Sequence, residues 1–343
     1  MVRFHVVNSV KGGCGKSTFS LYLANHLTAM SHKTVIIDLD IGGSTWYRGF
    51  KPYLVRDTEE PAAAGKKGDF KKEETKFLND LLYEYKKNKT REHVFKLRVL
   101  DAAKNAERNI DVVMTNPEKA ACIRDEELDL LESAICSLVD EIAANTYSTD
   151  SNKTVDIIFD MPPGYEEHSE HILMHALMDL GSNLYKKYTS KKTKDGEFIN
   201  PIYLYMISGV KQAALIANIR YVERFYKKPS YSMNPDVLKT KRIFFIFNDV
   251  DMSFQAYVDA LTGVVSLKDA GKRLTDKISE TERISGNSIQ LSIINHIPIL
   301  LSNQGYKDII TASGQTNPPK YYTLVEAEGG FHEFLESAEH LAE

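Results

Sequence analysis

The sequence predicts an α/β fold, a doubly wound and mostly parallel sheet flanked by helices. Three observations support this prediction. Short β-branched runs recur along the chain, longer stretches with helical periodicity separate them, and a glycine-rich segment joins the first run to the first helical stretch. Strands buried on both faces read as continuous apolar runs, and the helices between them cover a parallel sheet. The ligand site of such a sheet is expected beyond the carboxyl ends of its strands.

Seven apolar runs are the predicted strands. They lie at residues 4–7, 34–38, 110–114, 155–160, 202–206, 243–247 and 293–297. Helical periodicity is clearest in two of the stretches between them. Their apolar residues are Phe19, Leu23, Leu27 and Met30 in one stretch, and Leu128, Leu131, Ile135 and Leu138 in the other. Because such spacing places side chains on one helix face, we predict a helix after the first strand and another before the fourth.

The length and composition favour one elaborated domain. The chain has 343 residues, of which 43% are hydrophobic and 26% charged, as in soluble proteins that bury a core. That length allows two domains or one large domain with insertions. Segments 57–75 and 186–197 are rich in charged residues and lack an apolar face, so we predict mobile insertions there. We therefore predict a single domain over residues 1–343.

Charge and cysteine content favour a cytoplasmic protein. The formal net charge is −4, so no overall positive charge holds the chain on a nucleic acid or an anionic membrane. The cysteines, Cys14, Cys122 and Cys136, are too far apart for a Cys-x-x-Cys metal site or a disulfide framework. No signal peptide is visible, and no apolar run reaches the roughly 18 residues that span a bilayer, so we expect no membrane association.

A candidate phosphate-binding loop follows the first predicted strand. Residues 8–18 read NSVKGGCGKST and precede a helix. Glycines allow backbone N–H groups to face an anion, and the helix N-terminus adds a partial positive charge. Lys16 is predicted to reach the β- and γ-phosphates of a bound nucleotide, and the Ser17 hydroxyl is predicted to ligate Mg²⁺. The predicted nucleotide contacts are Gly12, Gly13, Cys14, Gly15, Lys16, Ser17 and Thr18.

This loop departs from the general phosphate-loop pattern at Val10, where that pattern has a glycine. The string K-G-G-x-G-K-S-T, with Lys11 ahead of the glycines, resembles the deviant Walker A motif of the ParA/MinD family of P-loop ATPases. The resemblance implies that Lys11 crosses a two-fold interface to the phosphates of a partner's nucleotide, which makes ATP the link in a homodimer. Such a trans cation acts like an arginine finger. A solvated loop lysine is the alternative.

Cys14 lies where the ParA/MinD family commonly has Val, so we interpret it as a small space-filling residue. A reactive thiol is the alternative. Helical placement makes Cys122 and Cys136 predicted core residues.

Two further segments resemble motifs of the same family. Residues 34–43 resemble its second strand and switch I, which implies that Asp40 orients or deprotonates the attacking water and that Asp38 supports the Mg²⁺ shell. Residues 155–164 resemble its Walker B strand and switch II, which implies that Asp160 holds Mg²⁺ through water and that the Gly164 N–H senses the γ-phosphate. Without the resemblance, an Asp at a strand end is an ordinary strand terminator.

Base recognition rests on shorter matches. Asn248 follows the predicted strand 243–247 and resembles the family's adenine-reading Asn, although Asp249 stands where a basic residue is usual. Pro298, in His-Ile-Pro, resembles the late strand end beside the family's base pocket. These matches favour ATP over GTP.

The charge is unevenly distributed along the second half of the chain. Residues 186–242 contain 13 Lys or Arg against 4 Asp or Glu, together with several Tyr and Phe. This stretch predicts a non-specific DNA footprint, and a solvated lysine face with core aromatics is the alternative. Residues 323–343 carry six Glu and no Lys or Arg, which disfavours a basic amphipathic membrane anchor.

Together with the resemblance to the ParA/MinD family, these features predict a Mg²⁺-dependent ATPase; the resemblance implies that it forms an ATP-sandwich dimer and acts as a nucleotide switch in the partition or positioning of DNA or another cargo. By the resemblance, a partner protein stimulates its hydrolysis. Two alternatives stay open: a metabolic or cofactor-assembly NTPase that acts on a small molecule, and a nucleotide-gated localisation module with negligible hydrolysis. The intact Lys16, Asp40 and Asp160 argue against an inactive ATPase.

Overall fold

The computed structural model describes residues 1–40, 43–50, 54–56, 77–84, 93–101, 106–119, 128–150, 153–164, 184–189, 194, 202–208, 217–218, 221, 241–247, 289–293 and 322–324. Within them lie the strands β1 Val2–Ser9, β2 Lys33–Asp38, β3 Leu54–Arg56, β4 Phe95–Asp101, β5 Ala106–Val113, β6 Val155–Pro163, β7 Ile202–Ser208, β8 Lys241–Phe247, β9 Ile289–Ile293 and β10 Tyr322–Leu324. The α-helices within them are α1 Lys16–Ala29, α2 Leu78–Glu84 and α3 Leu128–Thr149.

The described residues fall into two compact units. We call the first the loop unit; it lies within residues 1–23, 159–298 and 326–343. We call the other the second unit; it lies within residues 24–158 and 299–325. The prediction of a single domain stays a prediction.

The loop unit contains a parallel sheet. Its strands hydrogen-bond in the order β6, β1, β7, β8 and β9. The pairs β1–β7, β7–β8 and β8–β9 are all parallel, with His5 opposite Tyr203 and Leu204 opposite Ile243. Parallel neighbours bring their carboxyl ends to one edge, so the segments that follow β1, β7 and β8 leave the sheet at that edge.

The second unit contains a mixed sheet. Its strands run in the order β10, β4, β5, β2 and the first residues of β6, and β3 also pairs with β4. The pairs β2–β5 and β10–β4 are parallel, whereas β3–β4 and β4–β5 are antiparallel. The predicted doubly wound, mostly parallel α/β fold is confirmed, and the β3–β4–β5 segment adds the antiparallel part.

Aromatic side chains of β1 pack in the loop unit. Phe4 is fully buried; its ring centre lies 6.1 Å from that of Phe159 and 6.0 Å from that of Tyr188. His5 points to the other face of the strand and stacks on Tyr203 at 4.9 Å. Because successive strand residues alternate between faces, β1 is anchored on both sides directly before the candidate phosphate loop.

Six predicted strands coincide with β1, β2, β5, β6, β7 and β8. The seventh, predicted at 293–297, shares only Ile293 with β9, and residues 294–297 lie outside the described residues, so that strand stays a prediction. Strand β4 was not predicted because its apolar residues alternate with charged ones: Phe95, Leu97 and Val99 are buried, whereas Lys96 is only half-buried.

The two predicted helices are observed as α1 and α3. Helix α3 buries Leu131, Ile135 and Leu138, as its periodicity predicts. Helix α1 ends at Ala29, so the prediction that Met30 belongs to its apolar face is wrong: Met30 is 40% exposed. The chain turns there because Ser31 adopts a left-handed conformation with φ of 67°.

Candidate nucleotide-binding site

The candidate phosphate loop begins where β1 ends. Ser9 is fully buried, and its hydroxyl donates to the Lys11 carbonyl at 3.0 Å and accepts the Lys11 N–H at 3.3 Å. These two bonds fold the chain back on itself within three residues. The backbone that follows is therefore held in a tight curve ahead of α1.

Two glycines give this loop its shape. Gly13 has φ of 73° and Gly15 has φ of 87°, both in the left-handed region that other residues adopt only with strain. The Gly15 carbonyl accepts the Phe19 N–H at 2.9 Å, which is the first turn of α1. The loop therefore ends at a helix N-terminus, the arrangement that binds phosphate groups.

The predicted phosphate contacts differ in their exposure. Lys16 is buried at the start of α1, with 8% of its surface exposed, while Ser17 and Thr18 are half-buried. Lys11 is exposed, as a residue that reaches a partner's nucleotide would have to be. Cys14 is buried, and its Sγ lies 3.8 Å from the Gly12 carbonyl oxygen, which agrees with a space-filling side chain.

A buried amide that the sequence did not reveal anchors the loop. Asn218 is fully buried; its Oδ1 accepts the Val10 N–H at 2.9 Å, and its Nδ2 donates to the Ile207 carbonyl at 2.9 Å. One side chain therefore ties the first loop residue to β7. No sequence signal marks Asn218, because it lies 208 residues from Val10 in the chain.

The carboxyl end of β6 also lies against the loop. Asp160 is buried, and Pro163 is the nearest neighbour that a Cβ added at Gly12 would meet, at 3.6 Å. Gly164, with φ of 91°, donates its N–H to the Ser9 carbonyl at 3.2 Å. The group predicted to sense the γ-phosphate is thus bonded to the loop in this conformation, and its sensing role stays a prediction.

The acidic end of β2 is built around one carboxylate in the second unit. Asp38 is fully buried, and its Oδ1 accepts the Asp40 N–H at 3.1 Å. Its Oδ2 accepts the Ser44 hydroxyl and the Thr115 hydroxyl, the latter at 2.9 Å. Both oxygens are therefore engaged by protein donors, and support of a Mg²⁺ shell by Asp38 stays a prediction.

Asp40 lies beyond the end of β2 and is only half-buried. Its Oδ1 accepts the Gly43 N–H at 2.9 Å, which closes a short turn after the strand. A Cβ added at Gly43 would lie 3.0 Å from both Asp40 carboxylate oxygens, so a larger residue there requires the carboxylate to shift by a few tenths of an ångström. The carboxylate predicted to orient or deprotonate the attacking water is thus held in place by this hydrogen bond, and it is still partly exposed.

Ser17 and Asp160 in the loop unit supply oxygen ligands of the kind that Mg²⁺ requires. Mg²⁺ keeps several waters and binds through one or two carboxylates together with substrate phosphates. A hydroxyl at the helix start and a buried carboxylate three residues before the end of β6 fit that donor set. Among the described residues, no group of three or more His, Cys, Asp or Glu side chains is arranged to hold a metal by itself.

Several predicted residues lie outside the described residues: the base contacts Asn248 and Pro298, Cys122, and the whole of segment 57–75. Cys136 is buried, which confirms it as a core residue. In the basic stretch 186–242, the described lysines Lys186, Lys187 and Lys194 are exposed, while Tyr188 and Tyr221 are buried.

No helix in the described ranges has both the length and the apolar character needed to span a membrane.

Solved structures that resemble this chain include a cell division ATPase, a septum site-determining protein and a putative plasmid partition protein. The Pyrococcus furiosus cell division ATPase MinD is 15% identical with a TM-score of 0.47, and the match covers 99% of this chain and 100% of that one. The MinD protein of Pyrococcus horikoshii, complexed with Mg-ADP, is 13% identical with a TM-score of 0.47 and covers 100% and 98%. A putative plasmid partition protein of Borrelia burgdorferi bound to AMPPNP is 15% identical with a TM-score of 0.44 and covers 90% and 96%.

No curated protein sequence matches this chain. The family model described as the CobQ/CobB/MinD/ParA nucleotide binding domain matches residues 5–290, which include the phosphate loop, the acidic end of β2 and the end of β6. The chain therefore belongs to the CobQ/CobB/MinD/ParA family of nucleotide-binding domains.

Proposed function

We propose that the protein is a Mg²⁺-dependent ATPase that forms an ATP-sandwich dimer and acts as a nucleotide switch in the partition or positioning of DNA or another cargo. The observation that carries the proposal is the loop between β1 and α1. Gly13 and Gly15 take left-handed conformations there, and Lys16 stands at the helix start. Family membership supports nucleotide binding, and the string KGGCGKST supports the ParA/MinD type of loop.

In this proposal each candidate residue has one role in nucleotide binding or hydrolysis. The loop N–H groups and Lys16 bind the phosphates, and Ser17 and Asp160 hold a Mg²⁺ ion that neutralises phosphate charge. Asp40 orients the attacking water and accepts its proton, while the exposed Lys11 acts on the nucleotide of a second copy. Phosphoryl transfer needs positioning and charge compensation more than covalent help, and these residue types supply both.

Phosphate release from Mg-ATP tests the enzymatic part. The wild-type protein should hydrolyse ATP slowly, and Asp40→Asn should reduce turnover about 100-fold while ATP binding persists, because a positioned proton acceptor contributes about 10²–10⁴-fold. Lys16→Ala should weaken ATP binding itself. Asp150→Asn, an exposed carboxylate at the end of α3, is the matched control and should behave as the wild type. Unchanged turnover in Asp40→Asn would contradict the role of Asp40.

The exposed Lys186, Lys187 and Lys194 support DNA as the cargo surface. We expect a random-sequence duplex to bind in Mg-ATP more tightly than in Mg-ADP, and we expect the affinity to fall as salt rises, because lysines release counterions from phosphates. Fluorescence anisotropy measures both. Lys186→Glu with Lys187→Glu should weaken binding at every nucleotide state. If DNA binding is feeble and independent of ATP, a protein cargo or a small-molecule substrate replaces DNA in the proposal.

A further inference from the structure

We infer that Thr115 is a positioning residue that fixes the loop carrying Asp40, and that its hydroxyl thereby sets the rate of hydrolysis. The inference rests on the proposed function for its kinetic consequence. The hydrogen bonds of Thr115 do not depend on that function. Thr115 lies two residues past the end of β5 and contacts two residues of the acidic strand end, Asp38 and Asp40.

Thr115 bridges Asp38 and the backbone of Asp40. The side chain is fully buried, and its Oγ1 lies 2.9 Å from Asp38 Oδ2 and 3.0 Å from the Asp40 carbonyl oxygen. Its backbone N–H also lies 3.4 Å from Asp38 Oδ2. A hydroxyl has one hydrogen to donate, so these two acceptors share it. The hydroxyl therefore restrains the last residue of β2 and the peptide of Asp40 together.

The backbone that carries Thr115 is itself held on both sides. Strand β5 pairs with β2 in parallel, with Val113 opposite Ile37. The Met114 carbonyl accepts the Leu78 N–H at 2.9 Å, and the Asn116 N–H donates to Asn79 Oδ1 at 2.7 Å. Thr115 thus projects from a segment fixed by β2 and by the start of α2.

The loop that Thr115 restrains closes around the same carboxylate. Ser44 donates its hydroxyl to Asp38 Oδ2 and accepts the Tyr47 N–H at 3.0 Å. Asp38 Oδ1 holds the Asp40 N–H, and Asp40 Oδ1 holds the Gly43 N–H. With a buried carboxylate as the common acceptor, removal of one donor leaves charge less compensated and loosens its neighbours.

Thr115→Val and Thr115→Ser in the full chain test the inference. Val matches Thr in shape and lacks the hydroxyl, whereas Ser retains it. We expect Thr115→Val to lower kcat about tenfold while the Kd for Mg-ADP changes less than about twofold, and we expect Thr115→Ser to restore most of kcat. The matched control is Thr146→Val in α3, which removes a buried hydroxyl that donates to Ile142 O at 2.9 Å.

Amide hydrogen exchange supplies a readout that does not depend on hydrolysis. Thr115→Val should speed exchange at the Asp40 and Gly43 amides about tenfold relative to Thr146→Val, because both amides donate within the restrained loop. Unchanged exchange at these amides would overturn the inference. An equal loss of kcat in Thr115→Val and Thr146→Val would also overturn it. If exchange changes but the wild type hydrolyses no ATP, the positioning role holds and the proposed function fails.

Discussion

Single side chains set the geometry of the phosphate loop and of the acidic strand end. Asn218 joins the loop to β7 through both ends of one amide, and Asp38 gathers donors from three other residues at the end of β2. These groups are buried, so their hydrogen bonds are costly to leave unmade. We therefore expect substitutions there to change binding or turnover without removing a nucleotide contact.

Asn218→Leu tests the loop anchor. The change leaves the Val10 N–H and the Ile207 carbonyl without this partner, at a cost of about 1–3 kcal/mol, and we expect the affinity for Mg-ADP to fall about tenfold. Isothermal titration calorimetry measures it. Tyr205→Phe is the control, since it removes a buried hydrogen bond of 3.2 Å to His5 between β1 and β7. An Asn218→Leu protein with wild-type affinity would refute the anchor.

Gly43→Ala tests the turn that holds Asp40. A methyl group there meets both carboxylate oxygens at 3.0 Å, so the carboxylate or the turn must shift. We expect kcat to fall about tenfold with ATP affinity retained, because a displaced proton acceptor loses part of its contribution of about 10²–10⁴-fold. Steady-state phosphate release and nucleotide titration separate the two effects. A variant with normal kcat would show that the turn tolerates the methyl group.

At the scale of elements, β1 ties the loop to the core. Phe4 packs against both Phe159 and Tyr188, and Tyr205 of β7 packs on Phe19 of α1 with ring centres 5.1 Å apart. The strand before the loop and the helix after it are therefore both fixed by aromatic contacts. The loop is positioned by elements whose own packing does not depend on a ligand.

Phe4→Ala tests this packing. Removal of a fully buried aromatic ring leaves a cavity, and we expect the free energy of unfolding to fall by about 3–5 kcal/mol. Urea denaturation followed by circular dichroism measures the change. Met30→Ala is the control, because Met30 is 40% exposed and its truncation should cost less than about 0.5 kcal/mol. Similar losses in the two variants would contradict the packing described for β1.

The elements were predictable where one local pattern decides them. Continuous apolar runs identified β1, β2 and β6, whose described residues are buried almost throughout. Strand β4 was missed because it alternates, and its antiparallel pairing with β5 depends on a partner rather than on its own composition.

The candidate site was likewise predictable only where a local sequence motif defines it. Gly13, Gly15 and Lys16 stand in one contiguous motif, and the structure gives both glycines the conformations that such a loop needs. Thr115 and Asn218 were not predictable, because their partners lie 77 and 208 residues away in the chain. Only the fold brings those donors and acceptors together.

At the scale of the whole molecule, the proposal requires two copies. A net charge of −4 supplies no general attraction to nucleic acid, so the DNA contacts of the proposal depend on local lysines and on assembly of two copies. Lys11 is exposed in a loop whose other lysine, Lys16, is buried at the helix start. In the proposal, Lys16 binds the nucleotide of its own copy and Lys11 acts on the nucleotide of the second copy. This contrast in exposure is what those two roles require.

The most direct test of the central claim is the molecular mass of Asp40→Ala in solution, measured by light scattering in Mg-ATP, in Mg-ADP and without nucleotide. By the role proposed for Asp40, the substitution should slow turnover so that the ATP state persists. We predict a mass that doubles only in Mg-ATP, returns to that of a monomer when Lys11→Ala is added, and stays doubled when Lys153→Ala is added instead. A monomer that binds ATP, or a dimer that forms regardless of nucleotide and of Lys11, would contradict the proposed ATP-linked switch.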